Sequence, residues 1–355
     1  GLIAADDPPF FQPANSRPLT RQETGCVALG HWGRDTPEDV VVCRTDEGHL
    51  EIHCHGGTAA VQRVLSGLEA IGCTIEPWQA AETRRRGTFE TECLQCVTRA
   101  TTLRTAEILL EQHSEVLRTA LQGLLDQATR EPEDAIRSDL LARVEELLNW
   151  SDFGLHLSTA WTVVLLGRPN VGKSSLMNAL LGYARSIVYD QPGTTRDVLQ
   201  GETAFEGWPI RLADTAGLRA DAEELEAAGI TLAKTAIERA DCRVLLLDVS
   251  IPPEEADLEL LRQWPDALVV AHKSDLPDVW DARLPSEAEG VSALTGDGIT
   301  DFARLLVRKL VPQVPAPGTA VPVTARQIGL LWQARDAIDR GDWSACRAAF
   351  EECLS

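Results

Sequence analysis

The spacing of apolar positions changes period twice along this chain. In the first stretch, apolar residues fall in short extended runs: Asp39-Val40-Val41-Val42-Cys43 and Leu50-Glu51-Ile52-His53-Cys54 read as strands, with a helix near 58–71. Residues 1–80 are therefore expected to form a small α/β domain. From 81 to 157 the period becomes helical: Leu117, Leu121 and Leu124-Leu125, then Leu140-Leu141, Val144 and Leu147-Leu148, recur at i, i+3, i+4. This predicts long bundle helices, interrupted near Pro132. Residues 158–313 alternate strand and helix patterns, as a doubly wound α/β domain does. Pro312, Pro315 and Pro317 make a stiff linker, and over 318–355 helical spacing returns from Ala325 to about Cys353. The expected architecture is an α/β domain inserted in a helical domain whose last part packs back on its first, preceded by the small α/β domain. No internal repeat is present.

The inserted domain opens on chemistry. An apolar strand pattern, Trp161-Thr162-Val163-Val164-Leu165-Leu166, runs into Gly167-Arg168-Pro169-Asn170-Val171-Gly172-Lys173-Ser174-Ser175, and helical spacing follows through Leu181. The pattern GxxxxGK[ST] is a phosphate-binding P-loop, and a chain of this length meets it by chance with a probability of roughly one in a hundred. Backbone N–H groups of the loop, including those of Val171, Gly172 and Ser175, would wrap the phosphates at a helix N-terminus. Lys173 would reach the β/γ oxygens and the Ser174 hydroxyl would sit on Mg²⁺.

Three later motifs specify the base and a switch. Pro209-Ile210-Arg211-Leu212-Ala213 reads as a strand ending in Asp214-Thr215-Ala216-Gly217. Asp214 there can hold Mg²⁺ through water, and the Gly217 N–H can bond the γ-phosphate until hydrolysis removes that group and releases the segment. Ala267-Leu268-Val269-Val270-Ala271 leads into His272-Lys273-Ser274-Asp275. Asp275 would accept hydrogen bonds from N1 and N2 of guanine, which adenine does not offer, and Lys273 would cover the base. In Ser292-Ala293-Leu294 a backbone N–H would meet guanine O6. The usual base motif is Asn-Lys-x-Asp, whose Asn ties the base loop to the P-loop and touches the purine. His272 replaces it, which predicts weaker guanine-nucleotide binding with discrimination against adenine retained.

The hydrolytic apparatus is read partly from what it lacks. Leu218 follows DxxG where small regulatory GTPases place a water-orienting Gln. Asn170 suits a monovalent cation doing the work of an arginine finger. The segment Tyr189-Asp190-Gln191-Pro192-Gly193-Thr194-Thr195-Arg196-Asp197 would close over it with backbone oxygens, and Thr195 would complete the Mg²⁺ shell.

Asn170 in its P-loop, Gly193-Thr194-Thr195-Arg196-Asp197 and Asp214-Thr215-Ala216-Gly217-Leu218-Arg219 closely resemble the TrmE–Era–EngA group of GTPases. Glu226-Ala227-Ala228-Gly229-Ile230 narrows the resemblance to the MnmE (TrmE) family of tRNA modification GTPases, and Glu51-Ile52-His53-Cys54-His55-Gly56-Gly57 looks like that family's E-x-x-x-H-G-G segment. The likeness is strong over about 158–250, recognisable to 310 and thin elsewhere. It implies a homodimer whose G domains pair in GTP and K⁺, with Asn170 a K⁺ ligand beside oxygens from Tyr189, Gln191 and Thr194. Ser174 and Thr195 would bind Mg²⁺, and Glu226 would position the catalytic water. With an FAD-containing partner, the family installs an aminomethyl-type group on C5 of a tRNA wobble uridine, drawing on a tetrahydrofolate one-carbon unit. The family's last helix ends Cys-x-Gly-Lys. Here the sequence reads Cys353-Leu354-Ser355, so that a GTP switch or scaffold without the modification role is the first rival. A ribosome-assembly GTPase of Era or EngA type is the second, disfavoured because no KH-like GXXG module follows the G domain.

Composition narrows the partners. The 355 residues carry a net charge of −21, so nucleic acid cannot be gathered by a diffuse basic field and would be held through a partner or a local patch. Arg84-Arg85-Arg86 is the compact basic cluster and reads as a solvated helix start or loop. No apolar run approaches a membrane span, and nine cysteines without disulfide-scaffold spacing suit a reducing, cytoplasmic setting. Cys93-Leu94-Gln95-Cys96 has the spacing of half a zinc site but reads as two thiols on a helix face. His53 and His55 are expected to line a cleft of the first domain or to pack. The nine tryptophans are expected in cores or interfaces.

Overall fold

The computed structural model describes residues 10–33, 37–46, 49–130, 134–187, 201–214 and 235–355. They form two compact units, Gly1–Arg85 and Arg86–Ser355.

In the first unit, β1 (Phe11–Pro13), β2 (Val27–Trp32), β3 (Glu38–Asp46) and β4 (His49–Cys54) make an antiparallel sheet in sequence order. Strict alternation sorts β2: Ala28 and Trp32 face in, while Val27, Leu29 and His31 face out. Helix α1 (Thr58–Ala70) lays Val64 and Leu68 on the inward set, which includes Phe11, Leu19, Val40, Val42 and Leu50. Gly67 makes this close approach feasible, since a Cβ there would stand 2.7 Å from Trp32 Nε1. His53 and His55 are not packed into the core. Their side chains are 67% and 74% exposed and pair with Glu51 at 3.5 Å and Glu38 at 2.9 Å. Strand parity puts His53 on the face away from α1, which corrects the expectation that it packs. The arginine cluster also differs: it closes helix α2 (Trp78–Arg86) rather than starting one, with Arg84 paired to Glu76 and Arg85 to Glu82.

The second unit joins helices to a sheet through one continuous core. Its first helices are α3 (Thr88–Arg99), α4 (Leu103–His113), α5 (Val116–Thr129), α6 (Asp134–Asn149) and α7 (Ser151–His156). At its end, Gly341 adopts φ +71° and splits the helical stretch into two, α11 (Ala325–Arg340) and α12 (Trp343–Leu354). Helix α11 packs on α6, and α12 on α5 and α3.

Between α7 and α11 lies a six-stranded sheet of order β10-β9-β8-β5-β7-β6. The strands are β5 (Trp161–Leu166), β6 (Glu202–Phe205), β7 (Trp208–Asp214), β8 (Cys242–Asp248), β9 (Leu268–His272) and β10 (Glu289–Val291). Only the β6–β7 hairpin is antiparallel. Buried on both faces, the central strands are near-continuous aliphatic runs, as parallel strands covered on each side must be. Helices α8 (Lys173–Ile187) and α10 (Ile299–Leu310) lay Leu176, Leu180, Phe302 and Leu306 on one face; Trp280 and residues beside α9 (Glu255–Gln263) cover the other. The carboxyl ends of β5, β7, β8, β9 and β10 meet along one edge, where open α/β sheets bind ligands. At the opposite ends of β5 and β7, Trp161 and Trp208 cross at 84° with ring centres 5.8 Å apart, and Phe153 of α7 packs on both. Arg104 of α4 lies 4.3 Å over the Trp208 ring and donates to the Glu206 carbonyl. Trp150, Trp161 and Trp208 thus gather around Phe153 in a joint between helices and sheet, in line with the expectation for core or interface residues.

Candidate functional site

The loop after β5 has the conformation its glycines allow. Gly167 and Gly172 sit at φ +141° and +103°, and a Cβ on Gly167 would lie 2.7 Å from the Leu246 carbonyl. Asn170, at φ +63°, is in the left-handed region that Asn tolerates better than most residues. Lys173 opens α8, and its ammonium donates to the Gly167 and Arg168 carbonyls at 2.9 Å each, so the chain wraps its own cation where phosphate oxygens would enter. Arg168 ties the loop outward, to Asp257 at 2.9 Å and to Glu254. Next along, the Ser174 hydroxyl donates to the Asp214 carboxylate at 2.7 Å, joining the loop after β5 to the end of β7. Ser175 is exposed.

The base loop begins where β9 ends. His272 is 3% exposed, and its Nδ1 lies 2.9 Å from the Val171 carbonyl in the P-loop. Burial, reinforced by the charge of Lys273, holds its pKa below the ordinary imidazole value, against the pull of the Val171 bond, Asp248 and Asp275. Lys273, at φ +63°, pairs with Asp248 at the end of β8. Burial works to raise the Asp248 pKa, but bonds from Lys273 and Ser250 together outweigh it and hold it below the usual carboxylate range. Asp248 also accepts the Ser250 N–H at 3.0 Å, while its carbonyl accepts Trp280 Nε1–H at 2.8 Å. Asp275 is exposed. Beyond β10, Ser292 is fully buried; its N–H is spent on the Asp297 carbonyl and its hydroxyl accepts the Thr295 N–H. Ala293 and Leu294 follow, the latter 87% exposed.

The strand ends thus bring Asn170, Val171, Gly172, Lys173, Ser174, Ser175, Asp214, His272, Lys273, Asp275, Ser292, Ala293 and Leu294 to one edge. Tyr189, Gln191, Thr194, Thr195, Thr215, Ala216, Gly217 and Glu226 lie outside the described residues. Sequence reasoning missed Asp248 and Asp257. Asp248 carried a legible signal, an acidic residue closing the apolar run Val244–Leu247, as Asp214 closes its own strand. Asp257 carried none, since its partner lies 89 residues away.

Other candidates resolve into core. Burial pushes the Cys93 thiol up to about 12 and raises that of Cys96, and no group of three or more metal-type ligands occurs among the described residues. The Cys353 thiol is likewise buried and pushed up to about 12, which keeps it protonated near neutral pH. Among the described residues no helix is long and apolar enough to cross a membrane.

Residues 162–273 match the family described as "50S ribosome-binding GTPase". Over 314 residues the chain is 36% identical to the tRNA modification GTPase MnmE of Geobacter metallireducens, spanning 76% of this chain and 67% of that protein. It is 33% identical over 377 residues to the MnmE of a Synechococcus strain, spanning 95% of this chain and 82% of the relative. The MnmE of a Prochlorococcus marinus strain is 36% identical over 348 residues, with 85% and 73% spanned.

Proposed function

The chain belongs to the MnmE family of tRNA modification GTPases, and from that premise we propose that its strand-end cluster is a single GTP–Mg²⁺ site whose turnover serves C5 modification of a tRNA wobble uridine. The protein is a GTP-binding, GTP-hydrolysing enzyme. The observation that carries the site assignment is the Ser174–Asp214 hydrogen bond at 2.7 Å, a hydroxyl and a carboxylate held together at adjacent strand ends beside a P-loop lysine.

Those two oxygen donors fit a hard cation. Ser174 would bind Mg²⁺ directly and Asp214 through water, with Thr195 as the further ligand. When bound, the ion offsets charge on the β- and γ-phosphate oxygens. Lys173 releases the loop carbonyls to take phosphate oxygens, and the loop amides through Ser175 close around them. Thr215, Ala216 and Gly217 line the γ-phosphate, the Gly217 N–H bonding it. Asp275 reads N1 and N2 of guanine, and Lys273 lays its stem along the base while Asp248 holds its ammonium. Because the Ser292 amide is already bonded, the O6 donor falls to Ala293 or Leu294. Hydrolysis is assigned to Glu226, positioning water, and to K⁺ held by Asn170 with Tyr189, Gln191 and Thr194, in a G-domain dimer.

The finer roles follow the family: 1–80 as the folate-type domain, 81–157 with 318–355 as the helical domain, 158–313 as the G domain, with an FAD-containing partner presenting tRNA in the cytosol. A tetrahydrofolate derivative is assigned to the first unit, whose Glu51–Gly57 segment resembles the family's E-x-x-x-H-G-G. A second reading, a GTPase switch without modification chemistry of its own, is favoured by the burial of Cys353, which at 1% exposure is closed off from a substrate.

Turnover in KCl against NaCl tests the cation role: faster hydrolysis in KCl is expected, and equal slow rates would remove it. Mass spectrometry of wobble uridines from cells lacking the gene separates the two readings, because unchanged uridines leave only the switch.

A further inference from the structure

The histidine that replaces the asparagine of the base motif is bonded in a way that changes what the site can read, and the inference rests on the guanine-site reading above. His272 Nδ1 faces the Val171 carbonyl at 2.9 Å. A carbonyl only accepts, so Nδ1 carries the proton, and in a neutral ring Nε2 is then a bare acceptor. Nε2 is itself buried and has no hydrogen-bond partner among the described residues. The ring also lies against the P-loop backbone, since a Cβ on Gly172 would stand 2.7 Å from Nδ1.

An asparagine amide has two N–H donors, enough to hold the P-loop and touch the purine together. Neutral imidazole has one, and here the P-loop takes it. Guanine offers N1 and N2 as donors, and O6 and N7 as acceptors. With N1 and N2 assigned to Asp275 and O6 to the amide at Ala293 or Leu294, N7 is the acceptor left over on that edge. Nε2 and N7 both present lone pairs, and two acceptors do not bond.

We propose that His272 is a positioning residue that pins the base loop to the P-loop and leaves N7 of the bound guanine unread, so that this protein accepts guanine nucleotides altered at N7. Discrimination against adenine is unaffected, because it rests on N1 and N2. The groups around the ring agree with a neutral state. Val171 and Gly172 present backbone from the P-loop, Lys273 is the nearby cation, and Asp248 and Asp275 are the carboxylates, the first already paired with Lys273.

The test is calorimetric titration of the full chain at pH 8 with GDP and with 7-deaza-GDP, which replaces N7 by C–H. The wild-type protein is expected to bind the two within about twofold. His272→Asn should bind GDP more tightly and favour it over the deaza analogue by about fivefold, the worth of one ordinary hydrogen bond. His272→Phe keeps a ring but no donor, and should weaken both nucleotides equally. A wild-type preference for GDP of fivefold or more overturns the unread N7. Unchanged affinities in His272→Phe overturn the pin. If the wild-type protein takes up neither nucleotide, the guanine-site reading itself fails, which is a distinct result.

Discussion

Asp257 does two jobs with one carboxylate. One oxygen accepts the Glu254 N–H at 3.0 Å, closing a capping box at the start of α9, and the other accepts Arg168 Nε–H at 2.9 Å. Its side chain is 3% exposed, so removing it uncaps a helix and leaves the partly buried Arg168 guanidinium with the more exposed Glu254 as its remaining carboxylate. Asp257→Ala is expected to cost about 3 kcal/mol in urea unfolding, near the lower end for a broken buried pair. Arg168→Ala should cost less, since the cap still satisfies Asp257. His156 makes a second residue-scale prediction. Its Nδ1 faces the Thr159 carbonyl at 3.2 Å and its Nε2 faces Asp241 at 3.3 Å, an arrangement that only the doubly protonated ring satisfies. Burial works against that charge, but Asp241, Asp152 and the Thr159 carbonyl together outweigh it and raise the His156 pKa; Asp241 is lowered in turn. The imidazolium's contribution is complete below the unfolded histidine value near 6.5 and is lost as pH rises through the folded value. The Asp241 contribution is present above its unfolded value near 3.9 and is lost as pH falls through the folded one. The stability gap between wild type and His156→Gln should therefore be widest near pH 5 and shrink toward pH 8. A gap independent of pH would show that the ring is neutral.

Elements were legible where local pattern and burial agree. The aliphatic runs of β5, β7 and β9 mark themselves, because strands covered on both faces admit few polar residues. β2 escaped notice: Gly30 and His31 interrupt its apolar pattern, and only pairing with β1 and β3 makes it a strand. The split between α11 and α12 turns on Gly341, whose left-handed cap is one use of glycine among several. Helix α7 shows propensity losing to packing. Alanine is the better helix former by about 1 kcal/mol. Yet a Cβ on Gly154 would collide with the Pro322 carbonyl and stand 3.0 Å from Val321 Cγ1. Gly154→Ala should destabilise by about 2 kcal/mol, as overpacking does, measured by chemical denaturation; a more stable variant would mean that the approach of Pro322 relaxes freely.

At the scale of the molecule there are two compact units; among the described residues Gly1–Arg85 holds one core cluster and Arg86–Ser355 holds two, one on each face of its sheet. Separate units predict two calorimetric unfolding transitions. Saturating GDP should raise only the transition of the larger unit, by about 2.7 kcal/mol at a hundredfold excess over Kd. A shift of the smaller unit's transition alone would place the nucleotide elsewhere. The sequence by itself determined the class of the protein, because a P-loop, an acidic strand end and a base loop are each built from chain neighbours. It left undecided what those motifs hold onto. Val171 and His272 are 101 residues apart, and Arg168 and Asp257 are 89 apart. Only the order in which the parallel strands lie side by side brings such partners within hydrogen-bond reach. The same folding buries Cys93, Cys96 and Cys353, because a thiol's environment is set by the helices that close over it and not by its spacing.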